Sequence, residues 1–312
     1  MEHLFIINPK AGKSDRSKEL LEKIKSLDTD DKITVKITTE QGEAVSLVKN
    51  HLENTADFTR IYACGGDGTA NEVLTGMVGF ENCAVGVVPL GTGNDFVRSF
   101  EEFSKEDFLD IEKMIRGDDT LVDVMECSGR YSMNIMSAGF DSAIAKNVDK
   151  FKRLPFVSGS FAYKLSIIYC IFTKRKHRYR VIVDGKKFTD TDMSTLLVVA
   201  GKGKYYGGGM KAAPKASLSD GKIDFMHVET VSVPKVIFLL STYIKGGHVD
   251  NPKFSFVKTM KCDSVTFERD DGDIDIGFDG EIISMHNPTI RVIPKAVRVI
   301  LPKVKKCKAV TV

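Results

Sequence analysis

Up to about residue 100 the chain alternates short apolar runs with longer amphipathic segments. HLFIIN, KITVKIT, FTRIYAC and CAVGVVPL have strand length and strand composition. Between them, DRSKELLEKIKSL, EAVSLVKNHLE and NEVLTGMV carry apolar residues at helical spacing. This order predicts right-handed βαβ units and an open parallel sheet, whose ligands gather at the carboxyl ends of the strands. From about residue 120 the pattern turns to paired strands. RYRVIVDGKKFTDT suggests a tight hairpin at Asp184-Gly185, and TLLVVAG, KIDFMHVE, SVTFER, DIDIGF, TIRVIP and AVRVILP continue the β pattern. Helical spacing interrupts it near 156–173 and 233–245. The expected fold is α/β: an open parallel-sheet domain over 1–119, to which 295–312 can return, and a mainly antiparallel β domain over 120–294.

The totals narrow the function classes. A chain of 312 residues is long enough for two domains. A formal charge of +3, from 45 basic and 42 acidic residues, argues against nucleic acid as a partner. Cys64, Cys83, Cys127, Cys170, Cys262 and Cys307 form no CxxC pair, which suits buried thiols in a reducing, cytoplasmic setting. MEHLFIINPK turns polar too soon for a signal peptide. The most apolar stretch, 156–172, is broken by Ser158, Ser160, Lys164 and Ser166, so the expectation is a soluble or peripheral protein. The six histidines show no ligand spacing, which leaves zinc chemistry without support.

The candidate chemistry lies in two glycine loops. IYACGGDGTANEVLTGM runs from strand to helix, and its Gly65 and Gly66 allow close backbone approach by a phosphate at a helix start. VVPLGTGNDFVRSF repeats the logic at what reads as another helix start. Neither GxxxxGK[ST] nor GxGxxG is present, since Ile7 stands where the first needs a glycine. Asp67 and Asp95 could simply cap helices. Two carboxylate-bearing loops at one sheet edge instead suggest Mg²⁺ between carboxylate and phosphate.

GGDGTANEV, PLGTGNDFVR, NPKAGK, GGGMKAAP, LSDGKIDF and FDGE occur in an order that resembles the bacterial diacylglycerol kinase family of lipid kinases, related to sphingosine and ceramide kinases and more distantly to NAD kinases. The resemblance runs from Asn8 to Glu281. It implies that ATP binds at Gly65, Gly66, Asp67, Gly68, Thr69, Ala70 and Asn71, with Asn8, Thr38 and Thr92 completing the nucleotide site. It further implies that Asp67 and Asp95 act at the phosphate and Mg²⁺ end, and that Asp279 or Glu281 is the general base. A structural metal ion would be held by the Asp220 side chain and the carbonyls of Ser217 and Lys222. On their own, Asp279-Gly280 and Asp220-Gly221 also read as turns, the first beside a solvated glutamate.

The acceptor side is sought in FVSGSFAYKLSIIYCIFTKRKHRYR, an apolar stretch running into Lys174, Arg175, Lys176, Arg178 and Arg180. It suits either an anionic membrane surface or a buried helix followed by a solvated basic strand. Phe156, Phe161, Ile167, Ile168, Ile171 and Phe172 are the candidates for an acyl-chain cleft. The leading expectation is an ATP-dependent lipid kinase making phosphatidic acid from diacylglycerol. The alternatives are another acceptor (a sphingoid base, ceramide, phosphatidylglycerol or NAD) or a nucleotide-binding regulator without turnover. Peripheral membrane association is expected, and a homodimer stays open.

Overall fold

The computed structural model describes residues 1–154, 159–279 and 281–304. The chain divides into two compact units, Met1–Val122 together with the chain from Val297, and Asp123–Ala296.

In the first unit, β1 (Glu2–Ile7), α1 (Ser17–Lys25), β2 (Lys32–Ile37), α2 (Glu43–Glu53), β3 (Thr59–Gly65), α3 (Asp67–Met77) and β4 (Cys83–Pro89) follow the expected alternation. Two short helices, α4 (Lys105–Leu109) and α5 (Ile111–Ile115), come after it. The strands lie parallel in the order β2-β1-β3-β4. β1 and β4 are buried along their length, as the inner strands of a covered parallel sheet must be, whereas β2, at the edge, has no fully buried residue. The register aligns Ile7 with Ile37 and Cys64, and Gly65 with Pro89. The loops after β1, β2, β3 and β4 therefore leave the sheet at one edge. The sequence expects a helix after the second glycine loop. Only a 3-10 turn, Val97–Ser99, forms there.

Into the second unit run β5 (Asp118–Cys127), β6 (Arg130–Ser132), β7 (Ile135–Gly139), α6 (Phe140–Lys152), α7 (Gly159–Thr173), β8 (Arg180–Val183), β9 (Lys186–Lys187), β10 (Thr195–Gly201), β11 (Ile223–Glu229), α8 (Val233–Ile244), β12 (Val257–Cys262), β13 (Ser264–Glu268), β14 (Ile274–Phe278), β15 (Glu281–Met285) and β16 (Thr289–Leu301). α6 was not legible in the hydrophobic pattern. Its buried Ala143 and Ile144 face α7 through Cys170, while its polar residues break the helical stripe. An antiparallel sheet in the order β12-β11-β10-β7-β14-β15 packs against strands β16, β13 and β8. Alternation along β10 shows why two layers form. Val198 and Ala200 enter the core shared with Val181, Val265 and Phe267, while Leu197 and Val199 face Leu239 of α8. The Asp184-Gly185 hairpin forms between β8 and β9, with Asp184 at φ 49° and Gly185 at φ 73°. β16 pairs with β13 near Ile290 and with β4 at Val299, so its last residues complete the first unit's sheet. Among the described residues no helix is long and apolar enough to cross a membrane.

Candidate active site

Hydrogen bonding continues past the strand ends of the first unit and places three loops side by side. Asn8 N–H donates to the Cys64 carbonyl at 3.0 Å, Thr38 N–H to Ile7 at 2.9 Å, and Leu90 and Gly91 N–H to Gly65 at 2.9 and 3.2 Å. The Asn8 side chain donates to Thr69 Oγ at 3.0 Å. Glycine is demanded here by backbone approach. A Cβ on Gly91 would lie 2.6 Å from Gly66 Cα, and one on Gly12, at φ 85°, would lie 2.4 Å from the Leu90 carbonyl oxygen. The 8–13, 65–71 and 90–95 segments thus form one close-packed cluster that opens onto the start of α3. Asn8, Thr38, Gly65, Gly66, Asp67, Gly68, Thr69, Ala70 and Asn71 all lie in or beside it. Thr38, Thr69 and Ala70 are buried, while Gly68 and Thr92 are exposed.

Asp67 is a cap, though not of its own helix. Gly66 is the N-cap residue of α3 and Asp67 stands in the first turn. Its Oδ1 accepts N–H bonds from Asp95 at 2.8 Å and Phe96 at 3.3 Å, capping the short turn of the next loop. Asp95 is buried, with Arg98 Nε 3.6 Å from its Oδ1. The two carboxylates are therefore joined through the backbone that carries one of them. Glu72, in the same motif, accepts from Gly42 N–H at 2.9 Å and Ala44 N–H at 3.3 Å, and so fixes the start of α2.

In the second unit, Asp279 and Glu281 flank the tight turn between β14 and β15, where Phe278 pairs with Glu281. Gly280 lies outside the described residues. Asp279 adopts φ 46°, its Oδ1 accepts from Ile135 N–H at 3.0 Å, and its own N–H donates to the Ile135 carbonyl at 3.2 Å. Glu281 is exposed. The two acids therefore differ: one is bound into the sheet and the other reaches solvent.

The same unit holds an apolar pocket lined by Phe140, Ile144, Ile167, Leu197, Met210 and Leu239 among others, with Asp141 and Tyr206 as polar members. Asp141 Oδ2 is enclosed without a hydrogen bond, and burial pushes the carboxyl up to about 7 against a smaller opposing pull from Tyr206. Tyr206 in turn meets the Tyr243 hydroxyl at 3.2 Å. Of the acyl-cleft candidates, Ile167 lines this pocket and Ile171 is buried, whereas Ile168 and Phe172 point outward at 55% and 64% exposure. Phe156 and the side chain of Phe161 lie outside the described residues. In the basic segment, Arg175 donates to the Val231 carbonyl at 2.6 Å and Arg180 pairs with Glu268 at 2.7 Å, while Lys174, Lys176 and Arg178 are exposed.

Around LSDGKID two of the three expected metal donors, the Asp220 side chain and the Lys222 carbonyl, already have partners. Lys202 Nζ reaches Asp220 Oδ1 at 2.8 Å, the Lys222 carbonyl at 2.6 Å and Asp123 Oδ2 at 2.7 Å. Lys261 Nζ takes the other Asp220 oxygen at 2.8 Å and also pairs with Asp224. Burial opposes ionisation of Asp220, yet the Lys202 and Lys261 ammoniums hold its carboxyl down at about 2. Ser217 Oγ accepts from Ser219 N–H at 3.4 Å. Asp123, Lys202 and Asp141 were missed from sequence. The first two had a signal, a lone acid inside LVDVMEC and a lone lysine ending TLLVVAGK.

Comparison with known proteins places this geometry. The model of the diacylglycerol kinase catalytic domain matches residues 2–127, and that of the YegS C-terminal NAD kinase beta sandwich-like domain matches residues 134–301. A diacylglycerol kinase of Bacillus subtilis (strain 168) is 27% identical over 96% of both chains. A probable lipid kinase YegS-like of Pectobacterium atrosepticum is 28% identical over 96% of this chain and 95% of its own. The solved structure of a diacylglycerol kinase from Bacillus anthracis str. Sterne, 20% identical, superposes over 96% of each chain with a TM-score of 0.70, which establishes the fold. With the two models following each other along nearly the whole sequence, the chain belongs to the bacterial diacylglycerol kinase family.

Proposed function

We propose that the chain is an ATP-dependent, Mg²⁺-requiring lipid kinase that converts diacylglycerol to phosphatidic acid at an anionic membrane surface. The observation that carries this reading is the triple-loop cluster of the first unit, in which Gly12, Gly66 and Gly91 bring backbone to backbone beside the start of α3. Such a surface presents N–H groups to phosphate, and phosphoryl transfer asks chiefly for positioning and charge compensation. The cluster fits Mg²⁺ at its edge. Asp67 offers Oδ2, which lies outside its backbone bonds, and Asp95 offers a second carboxylate. Bound there, the ion neutralises phosphate charge.

In the acceptor hydroxyl's attack on the γ-phosphorus, a new O–P bond forms, the bond to the β-phosphate oxygen breaks and ADP leaves. The hydroxyl proton needs an acceptor. Glu281 suits that role because it is exposed, and Asp279, bonded to Ile135, positions the turn that presents it. The names of the relatives support a lipid acceptor. So do the apolar pocket and the outward Ile168, Phe172, Ile237 and Phe238 of α7 and α8 beside a basic segment. The test is γ-labelled ATP with diacylglycerol, sphingoid base, ceramide, phosphatidylglycerol and NAD offered separately. Label in phosphatidic acid is expected. Label in NAD and in no lipid would reject the reading.

A further inference from the structure

The ammonium of Lys202 is fully buried, and its three donors meet three oxygens, those of Asp123, Asp220 and Lys222, at 2.6 to 2.8 Å. Two of these oxygens are donors that the family resemblance assigns to a structural metal ion. A divalent cation on the same oxygens would share them with a fixed positive charge in a low-dielectric interior, where like charges repel strongly. The second Asp220 oxygen is also taken, by Lys261. The side chains of this loop do not fit the metal.

They do fit a lysine. The backbone of Lys202 is fixed at the end of β10, where its N–H and that of Gly203 donate to the Asn134 carbonyl at 2.8 and 2.9 Å. Its stem therefore enters the interior on a set path. At the far end waits Asp123, itself fully buried, whose carboxylate accepts from Gly221 N–H at 2.7 Å and Lys295 N–H at 2.9 Å, and whose own N–H donates to Leu218 at 2.7 Å. Asp123 thus ties β5, the 217–222 loop and β16 together. That knot requires a cation to offset a carboxylate with no access to water.

We propose that the Lys202 ammonium takes the place of a divalent ion at the 217–222 loop, so that the second unit is held by its own side chain. The inference is independent of the acceptor, and its readouts involve neither nucleotide nor lipid, so it succeeds or fails apart from the kinase reading.

The experiment uses the full chain stripped with EDTA. Melting is followed with and without MgCl₂, and bound Mn²⁺ is counted by electron paramagnetic resonance. A site filled to about a hundred times its Kd would raise Tm by roughly 5–10 °C. The parent is expected to shift by less than about 1 °C and, at ~1 mM, to bind no Mn²⁺ that Asp220→Asn removes, which sets the 217–222 loop apart from the carboxylates Asp67 and Asp95. Lys202→Ala in EDTA should melt about 10 °C lower, because Asp123 is left uncompensated. It should recover several degrees with Mg²⁺ or Mn²⁺, binding one ion. Adding Asp220→Asn to that variant should abolish the recovery. The proposal is overturned if the parent binds one Mn²⁺ and gains those degrees, and Asp220→Asn removes both effects. It is equally overturned if Lys202→Ala melts with the parent in EDTA. Should Lys202→Ala fail to fold, the Mn²⁺ titrations of the parent and of Asp220→Asn decide: equal binding by the two upholds the proposal, and one ion bound by the parent and lost in Asp220→Asn overturns it.

Discussion

Gly91→Ala should damage the protein where Gly66→Ala does not, although the two glycines face each other. A Cβ on Gly91 would stand 2.6 Å from Gly66 Cα, roughly 0.8 Å short of ordinary contact, and 3.1 Å from Asn94 Oδ1. A Cβ on Gly66 would meet Gly91 Cα at 3.6 Å, and Gly66 has extended backbone, φ −95° and ψ −171°, open to any residue. The clash at position 91 is with main chain, which no rotamer change relieves. Parting the loops should cost about 1–3 kcal/mol, as overpacking does. Differential scanning calorimetry should then show Tm falling by about 2–10 °C for Gly91→Ala and by under ~1 °C for Gly66→Ala. Because the displaced segments carry Asp67 and Asp95, kcat/KM for ATP should drop on the order of a hundredfold in Gly91→Ala. Parental melting and parental kcat/KM in Gly91→Ala would show that the loops do not approach as described.

Three further outcomes are expected. Asp67→Asn keeps an acceptor for Asp95 and Phe96 N–H and should melt within ~2 °C of the parent while losing phosphoryl transfer, whereas Asp67→Ala should also lose about 1–3 kcal/mol of stability in urea titration. Glu281→Gln should cut kcat about 10²–10⁴-fold with unchanged melting, and a fall below tenfold would move the proton-accepting role elsewhere. Asp141 makes stability depend on pH. Below about pH 4 its carboxyl is protonated folded and unfolded; as pH rises, the unfolded chain gives up the proton first, and stability is lost until the folded carboxyl also ionises near 7. The loss amounts to about 2–4 kcal/mol, and Asp141→Asn should remove that slope between pH 4 and 7 in denaturant titrations.

The alternation of apolar runs and amphipathic segments made the parallel layer readable, because a strand buried on both faces must be continuously apolar. The loops at its edge were readable through their glycines. What the pattern could not show was how the loops lean on one another. Asp67 read as a possible cap of α3, and it caps the Asp95 turn instead, a relation set by the aligned strand ends and not by neighbours in sequence. The LSDGKID segment illustrates a harder limit. Its donors are all visible in the sequence, but the cation meeting them is contributed by Lys202 and the knot's centre by Asp123, both remote along the chain. α6 escaped because its buried face is narrow and partly made of alanine.

The last strand has a bearing on synthesis. Val299 lies beside Val85, and Lys303 N–H donates to the Lys113 carbonyl at 2.9 Å, so β4 acquires its neighbouring strand from a segment that lies beyond the whole of the second unit in sequence. On the ribosome the strands up to β4 must wait, with the flank of β4 uncovered, until the segment around Val299 has been made. A fragment ending at residue 122 would carry that uncovered flank permanently, which makes clumping, not a working half-enzyme, the natural fate of a truncated product.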